Sequence, residues 1–318
     1  MNYRSSSRTN LVITMVVCAM TMGCASERYQ YGTSSKTASL EPLGTEATNP
    51  VSIGGDHPLV DGLESVVQAP RRFARRIVGR KTPSPAEATE FRKEAVELSQ
   101  NYLAANGMDD VHIDVRRYEP GQQWKRIRKN DRISPLWKYT GGTLSWLRYT
   151  LIPARAMQSD SYDVYANTIS INSASPTSAL YQAARAKEFQ QHRFRGTYAM
   201  LQRAPLVPFY HNTRATSDVL SYAKATDQSD ELLKQMYPTA YSRLASAGIS
   251  EALFFSPLPT DTPFVVEPAI RIVGGVIGRA TGRIALSREL GSEPESIPKS
   301  EPGFASDPKL ILAGHEEP

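Results

Sequence analysis

The chain has 318 residues, 40% of them hydrophobic and 22% charged, apolar enough for a packed core, while 22 Pro and 20 Gly mark long irregular stretches. This composition excludes a fully disordered, a collagen-like and a multi-span membrane protein, and at about 150 residues per domain the length fits one large domain with tails. Cys18 and Cys24 are the only cysteines and the formal net charge is +5, so a disulfide scaffold and a cysteine-rich zinc module are ruled out and nothing points to a nucleic-acid partner.

Arg4 and Arg8 precede an apolar stretch from Leu11 to Met22, too short to span a bilayer and suited to the core of a signal peptide. It ends in Thr21-Met22-Gly23-Cys24, which resembles a bacterial lipobox, with Thr21 in place of the usual Leu. The resemblance implies that residues 1–23 are a lipoprotein signal peptide. Cys24 would then be the first mature residue, carrying palmitate-type lipid on its thiol and holding the protein to a membrane. The alternative is an ordinary signal peptide with a chance cysteine. Ala25 and Ser26 are not acidic, so the implied address is the outer membrane, facing the periplasm. Removing Arg4 and Arg8 leaves +3 on the mature chain.

Residues 24–62 are rich in Ser, Thr, Gly and Pro with little periodicity and read as a flexible tether. Residues 63–82 form a basic amphipathic segment, with Phe73 and Ile77 on one face and Arg71, Arg72, Arg75, Arg76 and Arg80 around the rest. Such a face suits anionic headgroups, or simply solvent. Residues 83–290 read as a single globular domain. After Gly291, six acidic and two basic residues give the remainder a charge of −4 with no helical period, which reads as a disordered acidic tail over 291–318.

Within the domain, Ser84 as a cap and Pro85 in the first turn open a helix running to about Gly107, with Phe91, Ala95, Leu98, Tyr102 and Leu103 as its apolar stripe. Val111 to Val115 alternates as a strand, and Trp124 to Lys129 reads as a basic surface helix or turn. Thr143 to Ile152 is apolar nearly all round and stops at Pro153, which predicts a buried helix too short to cross a membrane. Asn167 to Asn172 alternates as a second strand. Ser175 and Pro176 then open a helix from about Thr177 to Gln190. Further helices are expected over Val207 to Ala225 and Ser229 to Ser246. The last, Ala269 to Ile284, has Gly274, Gly278 and Gly282 four apart, a stripe that costs about 1 kcal/mol per glycine and so argues for close packing on another helix.

A strand followed at once by a helix, with another helix about 27 positions on, resembles the core of a zincin metallopeptidase. In that family the first helix carries H-E-x-x-H, whose histidines share one Zn²⁺ while the Glu polarises water. Here the run Ala179-Leu180-Tyr181-Gln182-Ala183-Ala184-Arg185-Ala186-Lys187-Glu188-Phe189 looks like the string A-L-H-E-A-x-H-A-K-D-F with its chemistry removed. Tyr181 and Arg185 stand at the histidine places and Gln182 at the base, and Asn212 replaces the glutamate of the second helix. Arginine offers no lone pair, an amide is a poor ligand, and glutamine cannot take a proton from water. The resemblance therefore implies an α+β, helix-dominated, zincin-like fold with no metal or other cofactor. Tyr181, Gln182, Arg185, Asn212 and Asp218 would line a degenerate cleft, with Arg185 paired to Asp218 or Asn212.

The expected function is an anchored, non-catalytic module for an unidentified protein or peptide partner. An active envelope hydrolase with an unrecognised site is the alternative, and His192 with His211 could be offered as a metal pair. The other reading of the same helix is an unrelated amphipathic segment with Leu180, Ala184 and Phe189 in its core. No G-x-S-x-G, phosphate-cradling glycine loop or cysteine–histidine pairing is present.

Overall fold

A computed structural model describes residues 29–33, 38–44, 46, 48–55, 57–77, 84–152, 154–202, 204, 207–226, 230–254 and 263–291. The expected signal peptide over residues 1–23, Cys24, residues 292–318 of the expected acidic tail and the side chains of Arg71, Arg72, Arg75, Arg76 and Arg80 lie outside what it describes. The architecture is α+β and dominated by helix. The strands are β1 (Val51–Ile53), β2 (His112–Val115), β3 (Ser161–Asp163) and β4 (Thr168–Ile171). They form one sheet in the order β1-β2-β4-β3, in which β1, β2 and β4 are parallel and β3 is an antiparallel edge on β4.

Helices α1 (Pro58–Ile77), α2 (Pro85–Ala105), α3 (Pro120–Lys129), α4 (Pro135–Trp137) and α5 (Thr143–Leu151) lie before β3, with a π-helical turn over Lys138–Gly142 joining α4 to α5. After β4 come α6 (Pro176–Gln191), α7 (Arg195–Leu201), α8 (Val207–Ala225), α9 (Asp230–Phe254) and α10 (Pro263–Glu289).

Local chemistry sets the ends of α2. Ser84 Oγ accepts from the Glu87 amide at 3.2 Å and Glu87 Oε2 accepts from the Ser84 amide at 2.6 Å, so two otherwise orphaned donors are satisfied reciprocally. Gly107, at φ +65, lets the chain leave the helix in a conformation costly for any side chain. The pleat of β2 and β4 sends Ile113, Ile169 and Ile171 to one side, where they are fully buried with α2 and α6 packed on this region. Its other face carries Asp114 and Thr168, to which Arg126 of α3 donates. β4 is buried along its whole length although its sequence alternates, because helices cover both sides of it.

Three expectations need correcting. Residues 24–62 are not simply a tether: Tyr29 and Tyr31 are in the hydrophobic core and Val51–Ile53 is a strand of the sheet. The basic segment begins inside a longer helix fixed to the domain, where buried Glu64 takes a bidentate pair from Arg116 and buried Gln68 donates to the Ala156 carbonyl. The helix over 143–152 is not buried. Leu144, Leu147 and Leu151 of α5 face solvent, while Trp146 and Tyr149 turn inward because their polar atoms find backbone partners there.

Candidate functional site

α6 runs from β4 through the middle of the molecule, started by Ser175, whose side chain accepts from the Ser178 amide, and by Pro176 in its first turn. Leu180, Ala184 and Phe189 are in the core. The helix also carries five polar side chains into its contacts with neighbouring elements, four of them buried and Arg185 half-buried.

Tyr181 donates its hydroxyl to Asn212 Oδ1 of α8, and its ring lies 4.4 Å beneath the Arg243 guanidinium. Burial raises its pKa and keeps the phenol protonated. Gln182 Oε1 accepts from the Tyr162 amide at 3.1 Å, tying α6 to the edge strand β3. Arg185 does not reach Asp218 or Asn212 as expected. Its Nε donates to His211 Nε2 at 3.0 Å and its Nη2 to Gln202 Oε1 at 3.2 Å. His211 and Gln202 are the acceptors within its reach, whereas Asn212 is occupied by Tyr181 and Asp218 by Lys187. Asp218 sits further along α8, ion-paired to Lys187 Nζ at 2.9 Å and accepting from the Tyr102 hydroxyl.

Two linked polar clusters result. In the first, buried His211 accepts from Arg185 on Nε2 and so presents its proton on Nδ1 to the buried Glu188 carboxylate. Tyr198 of α7 donates to Glu188 Oε1 at 2.8 Å. Burial lowers the His211 pKa, with the Arg185 charge adding to the fall and Glu188 opposing it. In the second, the Lys187 ammonium donates to Tyr29 Oη at 2.9 Å, to the Gln30 carbonyl at 2.7 Å and to Asp218. Burial lowers its pKa while Asp218 holds it up. Tyr29, Tyr102 and Tyr222 surround this pair edge to face.

A small cavity of about 30 Å³, room for one or two waters, lies between α6 and α8 against Ala184, Lys187, Glu188, Arg214 and Asp218. Of the five expected cleft residues only Asp218 lines it. Tyr181 and Gln182 are buried instead.

The donor set does not fit a zinc ion. Arg185 brings a permanent cation to a would-be ligand position and takes the lone pair of His211 Nε2, while Tyr181 and Asn212 satisfy each other. Among the described residues no group of three His, Cys, Asp or Glu is placed to hold a metal ion. His192 stacks on Tyr198 with ring centroids 3.6 Å apart rather than joining His211 in a ligand pair.

Sequence reasoning gave no role in these clusters to Lys187, Glu188, Tyr29 or Tyr198, and it placed Tyr102 in the apolar stripe of its helix without its bond to Asp218. Lys187 follows Leu180 by seven positions and Ala184 by three, so helical spacing already put it on the buried face. Nothing local marked Tyr29, which reaches this seam from 158 residues away. No family model matches this chain, and no curated protein or solved structure matches it.

Proposed function

We propose that the chain is a lipid-anchored cell-envelope protein whose domain is a non-catalytic, metallopeptidase-like module that binds or scaffolds a partner. The observation that carries this reading is the closed pairing of Tyr181 with Asn212 and of Arg185 with His211. At each place where the resemblance calls for a metal ligand or base, a side chain is spent on holding α6 to its neighbours. The order of elements is in keeping with it: three parallel strands, an antiparallel edge, then α6 directly after β4 and α8 packed across it. The Cys24 anchor rests on the sequence motif alone.

A working hydrolase would need an unpaired base beside a nucleophile or a water. His211, the best candidate, has both ring nitrogens committed. Metal analysis of the purified protein, with an assay on peptide and peptidoglycan substrates, tests the reading. The expected result is sub-stoichiometric zinc and no turnover sensitive to Arg185→Ala. Stoichiometric zinc, or turnover abolished by Arg185→Ala or His211→Ala, would overturn it.

A further inference from the structure

α5 is built inside out. Its inward side carries the polar atoms: Ser145 Oγ donates to Asp163 Oδ2 at 3.0 Å, Trp146 Nε1 to the Pro120 carbonyl at 2.9 Å, and Tyr149 Oη to the Arg117 carbonyl at 3.0 Å. Its outward side carries Leu144, Leu147 and Leu151, spaced three and four apart and 45%, 43% and 67% exposed. A surface helix of a water-soluble domain has the opposite arrangement.

The stripe continues backwards to Tyr139 in the π-helical turn at Lys138–Gly142 and to Leu136 in α4, 60% and 65% exposed. An α-helix turns about 100° per residue and a π turn takes an extra residue per turn. That extra residue rotates Leu136 and Tyr139 towards the side of Leu144, Leu147 and Leu151. Ile152 extends the stripe at its far end, also more than half exposed. Six large apolar side chains in one continuous run are more than scattered surface hydrophobics account for.

The charge around the stripe selects its occupant. Residues 124–152 contain seven Lys or Arg and one acidic residue, Asp131. Arg126 is tied to Asp114 and Arg132 to Asp110, but Arg128, Lys129 and Arg148 are exposed. Arg148 lies one residue past Leu147, on the rim of the stripe. Lys138 ties down the last turn of α3, which carries Arg128, by donating to the Arg128 carbonyl at 3.1 Å. Leucines with Arg148 beside them on α5, with Arg128 and Lys129 exposed on α3 packed against α5, and with a tyrosine at one end match the boundary between acyl chains and anionic headgroups. No helix among the described residues is long and apolar enough to cross a membrane.

We propose that the outward face of residues 136–152 docks onto an anionic membrane surface, lying in the interface plane with Leu144, Leu147 and Leu151 inserted and Arg128, Lys129 and Arg148 on the headgroups. The face stands independently of the Cys24 anchor, so the test removes that anchor. In a Cys18→Ser, Cys24→Ser full-length chain, Leu151→Cys is labelled with an environment-sensitive fluorophore. A companion chain is labelled through Glu90→Cys, whose side chain is 70% exposed on α2.

The probe at 151 should shift to the blue with vesicles containing phosphatidylglycerol and be quenched by brominated acyl chains, while the probe at 90 stays aqueous. Replacing Arg128, Lys129 and Arg148 by Gln should weaken binding about fivefold per charge. Leu144→Ser with Leu147→Ser should abolish insertion without changing the circular dichroism spectrum, because neither side chain supports the core. A probe at 151 that stays aqueous with vesicles overturns the proposal. So does one already shielded in buffer and indifferent to vesicles, which would mean that protein, either a second copy or the chain itself, covers this face.

Discussion

Two helix seams in this molecule are tight for opposite reasons. Between α6 and α8 the helices are joined by long polar side chains that reach across: Tyr181 to Asn212, Arg185 and Glu188 to His211, Lys187 to Asp218. Between α9 and α10 they are joined by side chains that are missing. A Cβ at Gly282 would lie 2.6 Å from the Tyr237 carbonyl oxygen, and one at Gly278 closer still to that of Tyr241. The first seam is specified by which group finds which partner, at the cost of desolvating charges. The second is specified by shape, at a cost in helix propensity of about 1 kcal/mol per glycine. A polar seam tolerates added bulk at its edges but not a lost partner, and a glycine seam tolerates the reverse.

That contrast can be broken from either side, and the glycine side should give the larger effect. Gly278→Leu places a side chain where the α9 backbone stands, and backbone cannot swing aside as a side chain would. Overpacking of this kind typically costs about 1–3 kcal/mol and occasionally more. With the clash against main chain we expect about 3 kcal/mol or above, read from urea unfolding, with α9 and α10 losing amide protection first. Gly278→Ala with a loss under about 0.5 kcal/mol would show that the helices separate easily and that the stripe is not what fixes them.

On the polar side, Lys187→Met should cost about 2–3 kcal/mol, below the full range for breaking a buried pair because a quarter of the Asp218 side chain still sees water. Restoring apolarity on both sides, Lys187→Met with Asp218→Leu, should recover much of it. Failure to recover would mean that the bonds to Tyr29 and Gln30, not the ion pair, are what Lys187 contributes.

How much of this was legible beforehand differs between the same two seams. The glycine stripe was readable because its signal is local: three residues four apart on one helix need no knowledge of the partner. The start of α6 was readable for the same reason, from Ser175 and Pro176. The polar seam was only half readable. Helical spacing put Tyr181 and Arg185 on one face, but which acceptor Arg185 takes depends on where His211 and Gln202 arrive, and that is set by packing elsewhere in the chain. Hydropathy misled in two places for one reason. Leu144, Leu147 and Leu151 read as core because leucine usually is, and the region of Tyr29 and Tyr31 read as tether because its neighbours are small and polar. In both cases tertiary hydrogen bonding overrode composition: Ser145, Trp146 and Tyr149 claim the inside of α5, and the Tyr29 hydroxyl is claimed by Lys187 and Asn106.

Acid should sharpen the comparison most selectively, though by the smallest amount, because His211 titrates within one seam and no histidine is part of the other. Folded His211 is neutral: Nε2 accepts from Arg185 and Nδ1 faces Glu188. Its pKa is lowered by burial and by the neighbouring guanidinium, so the unfolded chain takes up the proton first as pH falls. Stability conferred by the neutral ring is therefore whole above the unfolded value of about 6.5 and is lost as pH drops through it towards the lower folded value, by at most about 1.4 kcal/mol for each pH unit between the two. Protonation also removes the lone pair that Arg185 uses and sets two cations face to face, with Glu188 offsetting part of the repulsion. His192 and His112 are lowered by burial as well and add to the slope, so the informative quantity is the difference from His211→Gln. That variant keeps an acceptor for Arg185 without a titrating group, and it should flatten the curve below pH 6.5. Amide exchange should then show α6 and α8 loosening in acid in the wild type alone, with α9 and α10 unmoved. Equal loosening of both helix pairs would mean that the two seams unfold as one cooperative unit.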